Sequence, residues 1–134
     1  MIDPGLAALV ERWEGLEARA WLAADARRAE LGAAMGSFHE TWDLLVTPTM
    51  PIVAFGADRL VPDGWQPHWP SWTPFTYPFN MTQQPALTVP CGFTAEGLPV
   101  GLQVVGRRHD EALVLRAGAA LERVRPQPAL APRG

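Results

Sequence analysis

The sequence predicts an α/β layered fold, and three observations predict it. Apolar residues recur at three- and four-residue spacing over the first forty positions, the spacing of helices with one buried face. The period then changes to short apolar and alternating runs around Leu44–Thr47, Leu87–Phe93 and Val100–Val104, the pattern of strands. A helical pattern returns after Asp110. Helices on either side of strands, within 134 residues, describe one domain with a modest core. The order is helix, long helix, buried strand, aromatic proline-rich loop, β-hairpin and closing helix, spread over residues 1–125, with a tail at 126–134.

The first helix is expected over residues 4–15. Asp3 can accept from first-turn amides and Pro4 suits the first helical position, while Leu6, Leu9, Val10 and Trp13 share a face and Gly15 ends it. A second, long helix is expected over 17–40, with Leu31, Ala34, Met35, Phe38 and Trp42 repeating at three and four. Its other face carries Arg27, Arg28 and Glu30, a solvated mixture of charge. Residues 43–47 form a continuous apolar run that Pro48 closes, which suits a strand buried on both faces.

Residues 48–85 read as a loop. Prolines at 48, 51, 62, 67, 70, 74, 78 and 85 are too dense for any regular element of length. Seven of the twelve aromatic residues lie between Gly64 and Gly106, where Glu96 is the only acid or base besides His68. An uncharged aromatic loop lies against something: its own core, a ligand or a partner. A hairpin is expected over 86–105, turning at Thr94–Gly97, with Leu87, Val89, Cys91 and Phe93 on one face. Pro90 and Pro99 then sit at an edge or a bulge. The closing helix is expected over 110–124, capped by Asp110 and burying Leu113, Ala117, Ala120, Leu121 and Val124.

Composition excludes several functions. A net charge of −3 with interspersed signs offers nucleic acid no basic patch. No run reaches the roughly eighteen apolar residues of a membrane span, and the N-terminus has no signal-peptide pattern. One cysteine, Cys91, cannot form an internal disulfide, so a cytoplasmic, reducing setting is expected. All eleven basic residues are arginine, so no lysine can serve as a base from this chain, and Ser37 and Ser71 are its only serines.

No residue stands out as catalytic. His39, His68 and His109 share no metal-ligand spacing with each other or with Cys91, so neither a metal nor a cofactor is expected. His39 and His109 lie near helix ends, where surface histidines are ordinary. Cys91, between Pro90 and Gly92 on an apolar strand, reads as a small hydrophobe rather than a nucleophile. Ser71 lies in a proline–tryptophan loop, not on a nucleophile elbow. The aromatic loop is the strongest candidate binding surface, offering rigid apolar walls with Asn80, Gln83 and Gln84 as orienting amides. The same aromatics would also serve as core.

Two stretches, DLLVTPTMP at 43–51 and FTYPFNMTQQPALTVPCGFTAEGLPVGLQVVGRRHDEALVLRAGAALE at 75–122, resemble the C-terminal segment of the amidase signature family. The similarity runs from about residue 16 to 124. The loop WPSWTPFTYPFN is most similar to the branch of 6-aminohexanoate-cyclic-dimer hydrolases and broad amidases. The resemblance implies an amide hydrolase fold, a large mixed sheet between helices. It also implies a serine nucleophile, a second serine in a cis peptide and a lysine base. None of those three matches a position here, so no catalytic residue carries over and the chain alone is expected to be inactive. What the resemblance implies for this segment is a frame with one wall of a substrate cleft, lined by Thr49, Trp69, Trp72, Phe75, Tyr77, Phe79 and Asn80.

Two further expectations follow. The chain is a C-terminal fragment of an amide hydrolase, with Met1 an internal methionine or a truncated start, and meets a small amide only within a full-length enzyme. Alternatively it is a stand-alone module that self-associates, or pairs with a complementing N-terminal segment, to cover open sheet edges.

Overall fold

In the computed structural model, which describes residues 2–65 and 71–124, Asp3 starts helix α1 (Pro4–Arg12) by accepting from the N–H groups of Gly5 and Leu6 at 2.9 and 3.1 Å. The helix stops short of residue 15 because Trp13 caps it and Gly15 adopts φ +79°. Helix α2 (Ala18–Thr41) follows with little amphipathic character. Its expected apolar stripe is only half covered, and Trp42 beyond its end is exposed. The buried residue of α2 is His39, which sequence placed on the surface. Ion pairs Arg28–Asp25 and Arg27–Glu30 lie on the exposed face, where screening leaves them little energetic weight.

Strands β1 (Leu44–Pro48), β2 (Ala86–Phe93) and β3 (Pro99–Gly106) form an antiparallel sheet in the order β1-β3-β2. The central strand is therefore the last in sequence. Val104 and Val105, neighbours pointing to opposite faces, are its most enclosed side chains at 1% and 0% exposure. Each contributes roughly 1.5–3 kcal/mol of apolar burial. The expectation that β1 is buried on both faces fails. It is an edge strand paired with β3 alone, and Val46 is 53% exposed.

The hairpin turns at Thr94–Gly97, where Thr94 N–H donates to Leu98 O and Gly97 has φ +81°. Pro90 stands on the edge strand β2 beside a bulge between Pro90 and Gly92, and Pro99 opens β3 before the ladder needs its donor. The bulge leaves Cys91 without a cross-strand partner and breaks the expected alternation of Leu87, Val89, Cys91 and Phe93.

The predicted loop 48–85 contains a helix that proline density concealed. Helix α3 (Tyr77–Thr82) accommodates Pro78 in its first turn, where a missing N–H costs nothing, and ends at Gln83 with φ 60°. Helix α4 (Glu111–Val124) begins after Asp110, whose carboxylate accepts from Leu113 N–H at 3.3 Å. Val114 and Gly118 form its buried stripe, flanked by half-buried Leu113, Ala117, Ala120 and Leu121; Val124, expected inside, is exposed. Gly118 lets the helix settle onto β2, since a Cβ there would run into the Leu87 side chain. Helix α4 thus covers β2 and β3. His68, Trp69 and the tail at 126–134 lie outside the described residues.

Candidate functional site

The sheet face opposite α4 carries a row of polar side chains. Pairing sets Thr47 and Thr88 on either side of Gln103. Gln103 is buried, and its Nε2 donates to Thr47 Oγ1 at 3.0 Å and to the Phe75 carbonyl at 2.8 Å. Those bonds fasten the loop before α3 to the sheet. Two residues back along β3, Gly101 lies between Thr49 and Thr88. A Cβ there would stand 2.8 Å from Thr49 Oγ1 and 2.9 Å from Thr88 Cγ2. With no such carbon, the two hydroxyls meet at 3.2 Å.

Above this pair opens a groove of about 700 Å³. Its floor is Thr49, Thr88 and Gly101, and its walls are Met50–Phe55, Trp72, Pro90, Pro99 and Val100. No lining residue is charged. Phe55 and Trp72 brace one wall edge-to-face, with ring centroids 5.0 Å apart. The Trp72 indole N–H is buried and has no hydrogen-bond partner among the described residues. The volume suits a small organic ligand, and the combination of apolar walls with few polar groups suits orientation of that ligand.

A second polar cluster lies between α2 and the sheet. Gln84 Nε2 is 2.7 Å from His39 Nε2 and 3.1 Å from the Gly106 carbonyl, while its Oε1 accepts from Thr82 Oγ1 at 2.7 Å. His39 Nδ1 is 2.9 Å from the Trp42 carbonyl. A carbonyl can only accept, so the proton sits on Nδ1 and Nε2 accepts from Gln84. Arg107 donates to the His39 carbonyl. A small cavity of about 200 Å³ adjoins the cluster, but its histidine is fully engaged in tying α2 to β3.

Among the residues expected to line a cleft, the groove brings together Thr49 and Trp72. Phe75 contributes its carbonyl to Gln103 instead, Phe79 is core, Tyr77 is exposed, and Asn80 Nδ2 turns back to the Thr76 carbonyl at 3.3 Å. Ser71 donates to the Trp65 carbonyl, and the Cys91 thiol faces the Val100 carbonyl at 3.4 Å. No group of three His, Cys, Asp or Glu among the described residues could hold a metal ion. No helix among them is long and apolar enough to cross a membrane. Sequence reasoning missed Thr88, Gly101 and Phe55. Thr88 carried a usable signal: it sits between Leu87 and Val89, so period-two alternation turns it away from the face they share.

The amidase family model matches residues 6–115. Acylamidase of Rhodococcus erythropolis is 42% identical over 109 residues, 77% of this chain and 22% of that protein. A glutamyl-tRNA(Gln) amidotransferase subunit of Rhodospirillum rubrum is 42% identical over 103 residues, 77% of this chain and 20% of that protein. Among solved structures, 6-aminohexanoate cyclic dimer hydrolase superposes with a TM-score of 0.81 at 26% identity, covering 98% of this chain and 30% of its own. A bacterial aryl acylamidase superposes at 0.80 with 25% identity, covering 94% and 27%. The chain therefore spans between a fifth and a third of the length of these relatives.

Proposed function

Since this chain belongs to the amidase family, we propose that it supplies the scaffold and one wall of the substrate cleft in an amide (C–N) bond hydrolase. The groove over Thr49 and Thr88 is the observation that carries this, because it opens on the sheet face built by the two family-like stretches. Amide hydrolysis through an acyl-enzyme needs a nucleophile, a base to take its proton, and donors for the oxyanion. The chain has no lysine, and its serines lie at Ser37 and Ser71. On this reading the nucleophile and base belong to other polypeptide, and this chain contributes substrate contacts. Of the residues expected to contact substrate, Trp72 and Thr49 line the groove. A reducing, cytoplasmic setting keeps Cys91 a thiol.

The purified chain should not hydrolyse an aryl amide above a buffer blank. Hydrolysis that follows the protein through successive columns and is lost in Ser71→Ala or Cys91→Ala would overturn the proposal.

A second function is favoured by a different observation. Trp13, Trp21, Leu22 and Trp42 are all more than half exposed on and beside α1 and α2. A surface so apolar calls for cover. The chain could meet that need as a module that self-associates or pairs with a separate amidase segment. The amidotransferase relative, by its name one subunit of an enzyme, is a precedent for such pairing.

A further inference from the structure

The Gln84 side chain has a donor end and an acceptor end, and both are used where it lies buried between α2, α3 and β3. Its Nε2 donates to the His39 ring at 2.7 Å and to the Gly106 carbonyl at 3.1 Å, and its Oε1 accepts from Thr82 Oγ1 at 2.7 Å. His39, Thr82 and Gln84 are all buried, so these polar groups find their partners within the protein.

That arrangement holds only for the uncharged ring. Nδ1 keeps its proton on the Trp42 carbonyl at 2.9 Å, so a further proton must enter at Nε2, the atom that accepts from Gln84. Two donors would then face each other. Turning the amide over exchanges its ends and removes the conflict. Oε1 accepts from the Nε2–H, and the NH2 donates to Thr82 Oγ1, whose single proton goes to the Pro78 carbonyl already 2.9 Å away. As many hydrogen bonds hold the cluster in one position as in the other. What changes is Gly106, whose carbonyl gives up its bond from Gln84.

We propose that His39 and Gln84 form a proton-driven switch with two positions. Protonation of His39 turns the Gln84 amide over and moves its bond from Gly106, at the end of β3, to Thr82, at the end of α3. The exposed Glu40, Arg107 and Arg108 line the cavity of about 200 Å³ beside the ring, which gives solvent protons a way in, and theirs are the charges that face it. The other neighbours, Thr82 from α3 and the Phe38 ring 5.1 Å away on α2, do not titrate. Arg107 donates to the His39 carbonyl in both positions.

The test is an NMR titration of the isotopically labelled chain from about pH 8 to about pH 5, the range in which a histidine changes charge. It reads the His39 ring nitrogens, the Gly106 carbonyl carbon and the Arg107 amide nitrogen, which responds to hydrogen bonding at the carbonyl before it. At the upper end, Nε2 should show the signal of an unprotonated ring nitrogen, coupled across the hydrogen bond to Gln84 Nε2. As Nε2 takes up its proton, that coupling should vanish and the Gly106 and Arg107 signals should shift with the same midpoint. Gln84→Glu has no N–H to give Gly106 and a carboxylate that accepts from Nε2–H, so its Gly106 signal should sit near the acid position throughout. Glu40→Gln should keep the wild-type curve. A Gly106 signal that ignores the His39 titration, or a His39 ring that stays uncharged across the range, would overturn the switch. So would a Gly106 shift that disappears in Glu40→Gln, because the proton would then be that of Glu40. Should Gln84→Glu fail to fold, the wild-type and Glu40→Gln curves decide alone.

Discussion

Gln84 reaches across 45 positions of sequence to place its side-chain nitrogen 2.7 Å from the ring nitrogen of His39. The same amide bonds the end of the central strand at the Gly106 carbonyl. One side chain thus joins α2, β3 and, through Thr82, the end of α3. Gln84→Ala would leave a buried ring nitrogen and a buried carbonyl without their partner. The expected loss is about 3 kcal/mol in urea denaturation. A loss below about 0.5 kcal/mol would show that the cluster does not tie the helix to the sheet.

Gly118 faces Leu87 where α4 crosses the hairpin. Gly118→Ala should cost about 1–3 kcal/mol through overpacking, more than the helix propensity it gains. Leu87→Ala in the same chain should recover part of that loss, giving a coupling of about 1 kcal/mol in a double-mutant cycle. Strict additivity would mean that the two elements separate rather than clash.

Thr94 holds the hairpin turn, its hydroxyl oxygen accepting from the N–H groups of Glu96 and Leu98 at 3.2 Å each. Thr94→Ala should cost about 1 kcal/mol. The Thr94 hydroxyl, and after it Glu96's own backbone N–H, hold the Glu96 carboxyl below its usual range. A depressed carboxylate pKa stabilises the fold above the unfolded value and loses that contribution as pH falls through the folded one. Glu96 is fully exposed, so Glu96→Gln should flatten the acid limb of the stability profile only slightly. A large shift of that limb would contradict the assignment.

The uncovered apolar surface predicts association. Val46 on the edge strand, Trp21 and Leu22 on α2 and Trp42 at its end are all exposed. Light scattering at micromolar concentration should give a dimer or larger species, and Trp21→Glu with Trp42→Glu should shift it toward monomer. A clean wild-type monomer would contradict this.

Much of this fold could be read from residue spacing. Asp3, Pro4, Gly15, Asp110 and Gly97 act locally, so their roles at caps and turns follow from the chain on either side of them. What escaped was set by distant neighbours. His39 resembled a surface histidine because Gln84 lies far along the chain. Val124 looked buried by its spacing, yet nothing among the described residues covers that end of α4. Tyr77–Thr82 hid its helix behind Pro78, since density of proline says less than its place in the first turn. The groove was half legible. Trp72 and Thr49 belonged to suspicious stretches, but pairing Thr49 with Thr88 required the β1-β3-β2 order, which brings two edge strands together over a glycine of the third.

The central claim is that these residues complete an amide hydrolase without catalysing the reaction themselves. The most direct measurement replaces the matched segment of the Rhodococcus erythropolis acylamidase with this chain and follows hydrolysis of an aryl amide. The hybrid should fold and hydrolyse the amide, and Thr88→Val or Trp72→Phe within the grafted segment should raise KM with little change in kcat. A folded, soluble hybrid with no activity would contradict the account.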